Sequence, residues 1–354
     1  MEQNDDNGET LNDLERLRKH DEEILNDANY EHPNLTGWEK HRRKRSIRKT
    51  KKLFRAIDIL FALSQNACPY VNKDNIKTIN VQSNIVYDRS LSSVCKLDFY
   101  RTKSDEKQPA IILIHGGGFS AGDKKYRKGR SQFFALHGFS VFCVNYGLAP
   151  QYTFPDPLKH IVAAANFIYD NADVYNIDRE RIFVGGDSAG AYYAAMMGAF
   201  NCSDKLKSAF GFSPKFKVFG ALLNCGIYDM RTVLDTRYPF GLSNGVVLSM
   251  TGVKPVDFDT YKYRDVCVPS ELVGKDYPPT FVIYSDNDIF CRGQGDVMLD
   301  VLNENGVYNE YFSARYSGSN HCFSLTWNGD DAAAANELLL SFAKRLAEDK
   351  IKLK

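Results

Sequence analysis

Ser188 stands in the run Gly186-Asp187-Ser188-Ala189-Gly190, after a short apolar stretch (Ile182, Phe183, Val184) and before a helix-forming one. A serine at the tip of a strand-to-helix turn has strained backbone angles that lift its hydroxyl clear of the sheet. The flanking glycines are needed because a Cβ would collide with the neighbouring strand or helix. The helix N-terminus behind the serine favours negative charge developing nearby. At ordinary Gly and Ser usage such a run arises by chance in about one chain of this length in ten. A plain small-residue turn is therefore the competing reading, and the strand-to-helix setting argues against it.

A serine hydroxyl is too weak an acid to attack a carbonyl unaided, and histidine suits the role of base because it titrates near neutrality. Of seven histidines only His321 follows Ser188. It lies just beyond the last expected strand, in the loop Tyr316 to Cys322, as the chain order serine, acid, histidine requires. The acid that orients the imidazole must come from the end of the preceding strand. Asp286 and Asp288 both qualify, and Asp288 is preferred because it stands farther out of the strand. A third run, His115-Gly116-Gly117-Gly118-Phe119, directly follows a buried strand. Backbone free of side chains lets N–H groups approach an anionic tetrahedral oxygen, and the residue after the nucleophile, Ala189, adds another. His115 is read as an anchor of this loop rather than a group that ionises in catalysis. Gly117 to Gly122 has the gap of a phosphate loop, but Asp123 stands where its lysine must be.

These residues need a scaffold that brings strand ends together. Ala110 to Ile114 is apolar on both faces, as in the middle of a parallel sheet. Strands are expected at 83–87 and 94–100, joined as a hairpin, and at 140–145, 218–225, 279–284 and 309–314. Helices are expected at 126–136, from Pro155 through Ile168, after Ser188, at 296–305 and at 331–344. Strands alternating with helices imply an α/β, mostly parallel, doubly wound sheet whose ligands bind at the carboxyl ends of the strands. Residues 229–277 break the alternation and are rich in turns and aromatics (Tyr238, Phe240, Phe258, Tyr261, Tyr263). They are read as an excursion over the sheet's top edge, with an irregular surface loop as the alternative.

Two helices are expected before the sheet, at 11–25 and at about 38–63. The second carries Arg42-Arg43-Lys44-Arg45 through Lys51-Lys52. Such a run could serve an acidic surface, but a solvated helix face with its apolar side on another element is the simpler reading. The 354 residues, 44% hydrophobic, suffice for one catalytic domain with an appendage, and the net charge of +1 argues against a wholly basic nucleic-acid binder. Residues 1–75 are assigned to the appendage, whose helices contribute to a cap, and 76–354 to the catalytic domain, with 230–275 read as a cap insertion. The polar first fifty residues support neither a signal peptide nor a membrane span, so a cytoplasmic protein is expected. The eight scattered cysteines contain no Cys-x-x-Cys pair and read as reduced small hydrophobes, with no metal site and no cofactor.

From Ala110 onward the chain resembles the hormone-sensitive-lipase-like family of α/β-hydrolase carboxylesterases, the relatives of acetyl esterases and arylacetamide deacetylases. The residues that carry the resemblance are His115-Gly116-Gly117-Gly118-Phe119, Tyr146-Gly147-Leu148-Ala149-Pro150 with Phe154-Pro155, Gly186-Asp187-Ser188-Ala189-Gly190, Asp288 and His321-Cys322-Phe323. The resemblance implies an α/β-hydrolase fold with a helical cap built from the N-terminal helices and the excursion. It implies Ser188 as nucleophile, His321 as base, Asp288 as orienting acid, and Gly117, Gly118 and Ala189 as oxyanion donors. The implied activity is hydrolysis of small to medium acyl esters through an acyl-enzyme, the partner being a small-molecule ester. Amide or peptide hydrolysis is the alternative, and a non-catalytic small-molecule receptor a more distant one. Gln151 stands where the family usually has Glu, Cys322 where it has Gly, Ile289-Phe290 where it has Pro-Leu, and Ala191-Tyr192 where it has Gly-Asn. None of these removes a catalytic group, but they bear on the pocket's shape.

Overall fold

The computed structural model describes residues 37–65, 68–235, 242–315 and 318–351. The expected helix at 11–25 and residues Tyr238, Phe240 and Tyr316 fall outside them. In chain order the elements are α1 (Gly37–Gln65), β1 (Ile79–Val86), β2 (Lys96–Thr102), β3 (Gln108–Ile114), α2 (Lys128–Leu136), β4 (Ser140–Val144), α3 (Asp156–Asp170), β5 (Ile177–Asp187), α4 (Ala189–Ala199), α5 (Asp204–Phe210), β6 (Gly220–Asn224), α6 (Met230–Asp235), α7 (Leu242–Thr251), β7 (Thr280–Ser285), α8 (Gln294–Glu304), β8 (Asn309–Ala314) and α9 (Asp330–Ala347).

The eight strands form one sheet in the order β1-β2-β4-β3-β5-β6-β7-β8. β1 and β2 are an antiparallel hairpin (Ile79 opposite Thr102), β2 runs antiparallel to β4, and every other pairing is parallel. The central strands β3, β4, β6 and β7 are almost wholly buried because helices cover both of their faces. In β3, Ala110, Ile112 and Ile114 enter the core on one face while Ile111 and Leu113 enter the core on the other. Each of these isoleucine and leucine side chains, when buried, is worth roughly 1.5–3 kcal/mol. The two-residue alternation thus builds two hydrophobic layers from one strand.

α4 follows the turn at Ser188, and all eleven of its residues are buried. A helix apolar on every side belongs at the centre of a fold. It packs on β5 and β6, which sets the turn at the carboxyl edge of the sheet. β5 starts at Ile177, five residues before the apolar run at Ile182, with an irregularity in its pairing to β3 between Pro109 and Ala110. The described part of residues 229–277 is not an irregular loop: it holds α6, α7 and three short 3₁₀ helices at Pro255–Thr260, Arg264–Val266 and Pro269–Leu272. α1 crosses beside α7 and the turns at Lys124–Arg127 and Phe323–Thr326, burying Ile47, Thr50, Phe54 and Asp58 at a three-to-four-residue spacing.

Candidate active site

β5 ends on Asp187, and Ser188 takes φ 52° and ψ −120° before α4 begins. A non-glycine residue at positive φ is held there only by its surroundings. The Ser188 N–H donates to Asn224 O at 2.9 Å, tying the turn to the end of β6. A Cβ on Gly190 would run into Ile114 O, and one on Gly186 into the backbone of Gly190, so both glycines are demanded by close approach.

The loop after β3 lies beside this turn. Gly117 (φ 128°) and Gly118 (φ 58°) are followed by Phe119 at φ 61°. Among the described residues the N–H groups of Gly117 and Gly118 have no hydrogen-bond acceptor. Ala189 opens α4, where the first N–H groups lack partners within the helix. His115 braces the loop: Nδ1 meets Gly116 O at 2.8 Å, and the ring stacks on Tyr146 with centroids 4.5 Å apart. Burial pushes its pKa down to about 4, so the ring is neutral at pH 7 and serves as the anchor expected of it. Tyr146 in turn donates its hydroxyl to His115 O at 2.6 Å, and Ala149 N–H donates to Phe119 O at 2.9 Å. The Tyr146 to Pro150 run therefore holds the glycine loop by two of its carbonyls.

On the far side, Asp288 is buried between β7 and α8, and its carboxylate receives the N–H groups of Phe290 and Cys291, each at 2.8 Å. His321 Nδ1 lies 2.8 Å from Asp288 Oδ2 and 3.0 Å from Oδ1. Burial alone would raise the Asp288 pKa, but the His321 charge and these hydrogen bonds outweigh it and hold the group below its usual value. Asp286 is exposed, and its backbone carbonyl accepts from Arg292. Of the two acids, Asp288, the one preferred from the sequence, is the one that meets the histidine.

A cavity runs along this edge, lined by Phe54, Phe119, Ile227, Val233, Val246 and Phe290 together with Gly118, Ser188, Ala189 and Cys291. Phe290 also sets its ring against the His321 imidazole, centroids 5.0 Å apart. No hydrogen bond joins Ser188 Oγ to His321 among the described residues. Such contacts are often long before substrate binds and tighten with it. Tyr192 stands behind Phe119 with its hydroxyl on Cys267 O at 2.9 Å. The excursion contributes Val233 and Val246 rather than its aromatics; Tyr261 is spent on a hydrogen bond to Phe154 O at 2.7 Å.

The pattern of motifs missed a buried ionic cluster. Arg127 grips Asp187 through Nε–Oδ1 at 2.6 Å and Nη2–Oδ2 at 2.7 Å, and reaches Asp58 Oδ1 of α1 at 3.2 Å. Asp187 Oδ2 also accepts the Gly116 N–H at 3.2 Å. One guanidinium thus joins α1, the serine turn and the glycine loop. Burial works against its charge, but Asp187 and Asp58 more than offset that and hold its pKa above the ordinary value. Nothing local in the sequence marks Arg127, since its partners are 60 and 69 residues away.

All eight cysteines are free. Cys225 and Cys322 with His321, and Cys291 with Asp288 and His321, each bring three ligand atoms within 4.8 Å. Burial pushes the thiols of Cys291 and Cys322 well above their ordinary pKa, so at neutral pH they are protonated and poor metal donors. A metal at Cys225 and Cys322 would also have to compete with Asp288 for His321 Nδ1.

The BD-FAE family profile matches residues 97–299, from β2 into α8. The chain belongs to the BD-FAE family. The match covers Ser188 and Asp288 and stops short of His321 and α1. The expected resemblance to hormone-sensitive-lipase-like α/β-hydrolases holds, and the sheet is that of an α/β-hydrolase. R526 of Acanthamoeba polyphaga mimivirus, named as a candidate α/β hydrolase, is 25% identical over 262 residues, covering 70% of this BD-FAE chain and 69% of that protein. Esterase B of Lactobacillus Rhamnosis shares the fold with a TM-score of 0.73 at 19% identity, over 88% of this chain and 98% of that one. An esterase of Pyrobaculum calidifontis gives 0.66 at 20% identity, over 86% and 94%. A bacterial heroin esterase gives 0.64 at 24% identity, over 83% and 90%.

Proposed function

We propose that this BD-FAE member is a serine carboxylesterase acting on small to medium acyl esters. The observation that carries the reading is one cavity edge bearing Ser188 on a strained turn and, beside it, N–H groups without acceptors among the described residues, with Phe290 leading to an imidazole already oriented by a buried carboxylate. Ser188 Oγ attacks the ester carbonyl carbon as His321 takes its proton. Asp288 keeps the Nδ1–H tautomer in place and stabilises the imidazolium. Gly117, Gly118 and Ala189 donate to the oxyanion, His321 returns the proton to the departing alcohol, and water then repeats the sequence on the acyl-enzyme.

The apolar cavity wall suits an unbranched acyl chain, and the esterase activity named for the solved relatives supports the reading. α1 and residues 230–275 form the cap in this proposal, since Phe54, Val233 and Val246 wall the cavity from that side. Scattered free thiols fit a reducing compartment such as the cytoplasm. Among the described residues no helix is long and apolar enough to cross a membrane. Ser188→Ala should abolish turnover of p-nitrophenyl acetate and butyrate and labelling by a fluorophosphonate, with an unchanged circular dichroism spectrum. Full turnover by that variant would refute the assignment.

A further inference from the structure

The side of α1 turned away from the cavity forms a continuous exposed stripe. Trp38, Arg42, Arg45, Lys49, Lys52, Ala56, Ile59 and Leu63 follow one another at alternating gaps of four and three residues, and all are exposed. That spacing keeps them on one line of a helix, and the line spans about 38 Å at 1.5 Å per residue. It lies opposite the buried line of Ile47, Thr50, Phe54 and Asp58. Arg48, Lys51 and Arg55 flank it and are exposed as well. No ion pair to any of these seven cations is formed among the described residues. The stripe is apolar at its ends: Trp38 is 67% exposed, Ile59 47% and Leu63 65%.

We propose that this stripe docks the protein on an anionic lipid bilayer, so that the helix walling the acyl cavity on one side rests on the membrane with the other. Cations without an ion pair among the described residues answer acidic headgroups, and tryptophan, with Arg42 over its ring, and aliphatic side chains enter the headgroup boundary. A nucleic acid would answer the cations but has no use for Ile59 and Leu63. Docking would bring the cavity to esters dissolved in the bilayer; that part rests on the esterase reading, while docking itself does not. The 36 residues before α1 hold eleven Asp and Glu against three Lys and Arg, which makes them the rival occupant.

The test is sedimentation of the full chain with phosphatidylcholine vesicles, with and without 30% phosphatidylserine. Wild type and Ser188→Ala should both partition onto the anionic vesicles at least tenfold better than onto neutral ones. Salt at 0.5 M should remove that preference, because it shortens the screening length to about 4 Å. Each exposed charge near the surface contributes about fivefold in partition. The triple variant Arg45→Glu, Lys49→Glu, Lys52→Glu should therefore lose more than a hundredfold while hydrolysing a soluble acetate ester at the wild-type rate. Trp38→Ala with Leu63→Ala should weaken partition at constant charge. Absence of partition at low salt overturns the proposal and leaves the stripe to the acidic segment. Equal binding to neutral and anionic vesicles, or tighter binding to a single-stranded RNA than to vesicles, overturns it too.

Discussion

Asp288 and Asp286 differ by two positions and by everything that matters to an imidazole. Asp288 is buried, accepts two backbone N–H groups and meets His321 at 2.8 Å, whereas Asp286 is exposed. Asp288→Asn should leave a fold that holds the wrong tautomer, with a loss on the order of 10⁴ in kcat. Asp286→Asn should hydrolyse esters as wild type does. The pair of kinetic measurements decides the acid, and equal losses would put the assignment in error. The same scale accounts for Gly190, where a Cβ would strike Ile114 O. Gly190→Ala should destabilise by roughly 1–3 kcal/mol, read from the urea midpoint, because the strand and helix cannot approach as closely.

Between elements the decisive object is Arg127. It binds the end of β5 and the buried side of α1, and through Asp187 the N–H of Gly116. Arg127→Met would leave two buried carboxylates without their cation, and breaking a buried pair in this way costs about 3–5 kcal/mol. Thermal or urea unfolding should show that loss. Arg127→Lys, which keeps the charge and loses the fork, should recover part of it. A methionine variant as stable as wild type would mean that α1 is held by its apolar contacts alone.

Across the whole molecule the same cluster should make stability depend on pH. Burial raises the Asp58 pKa from 3.8 to about 6, with Arg127 opposing and the nearby Asp187 adding to the rise. The folded state thus binds this proton more tightly than the unfolded chain does. The contribution is complete below about pH 4 and is lost as pH rises through 6. From this group alone the protein should be about 1 kcal/mol more stable at pH 5 than at pH 7. Asp58→Asn should flatten that part of the curve in urea titrations at the two pH values. Asp288, held below its usual value, acts in the opposite sense and withdraws stability only as pH falls toward 4 and below.

The order of residues along the chain was enough for the catalytic candidates and the sheet. A serine between close-packed glycines, a glycine run after a buried strand and one late histidine are local patterns, and their chemistry constrains their surroundings. Strand and helix periods carried the architecture for the same reason, since each element must present an apolar face to its own neighbours. The contact of Asp288 with His321, the bracing of the glycine loop by Tyr146 and the Arg127 cluster are visible only in three dimensions. Their partners lie from 31 to 69 residues apart, and an ion pair or hydrogen bond leaves no periodic trace in the chain. Phe54 belongs with them: that it faces Gly118 and Ser188 follows from how α1 is laid across the sheet's edge. Local sequence sets what each residue can do, and packing sets which other residue it does it with.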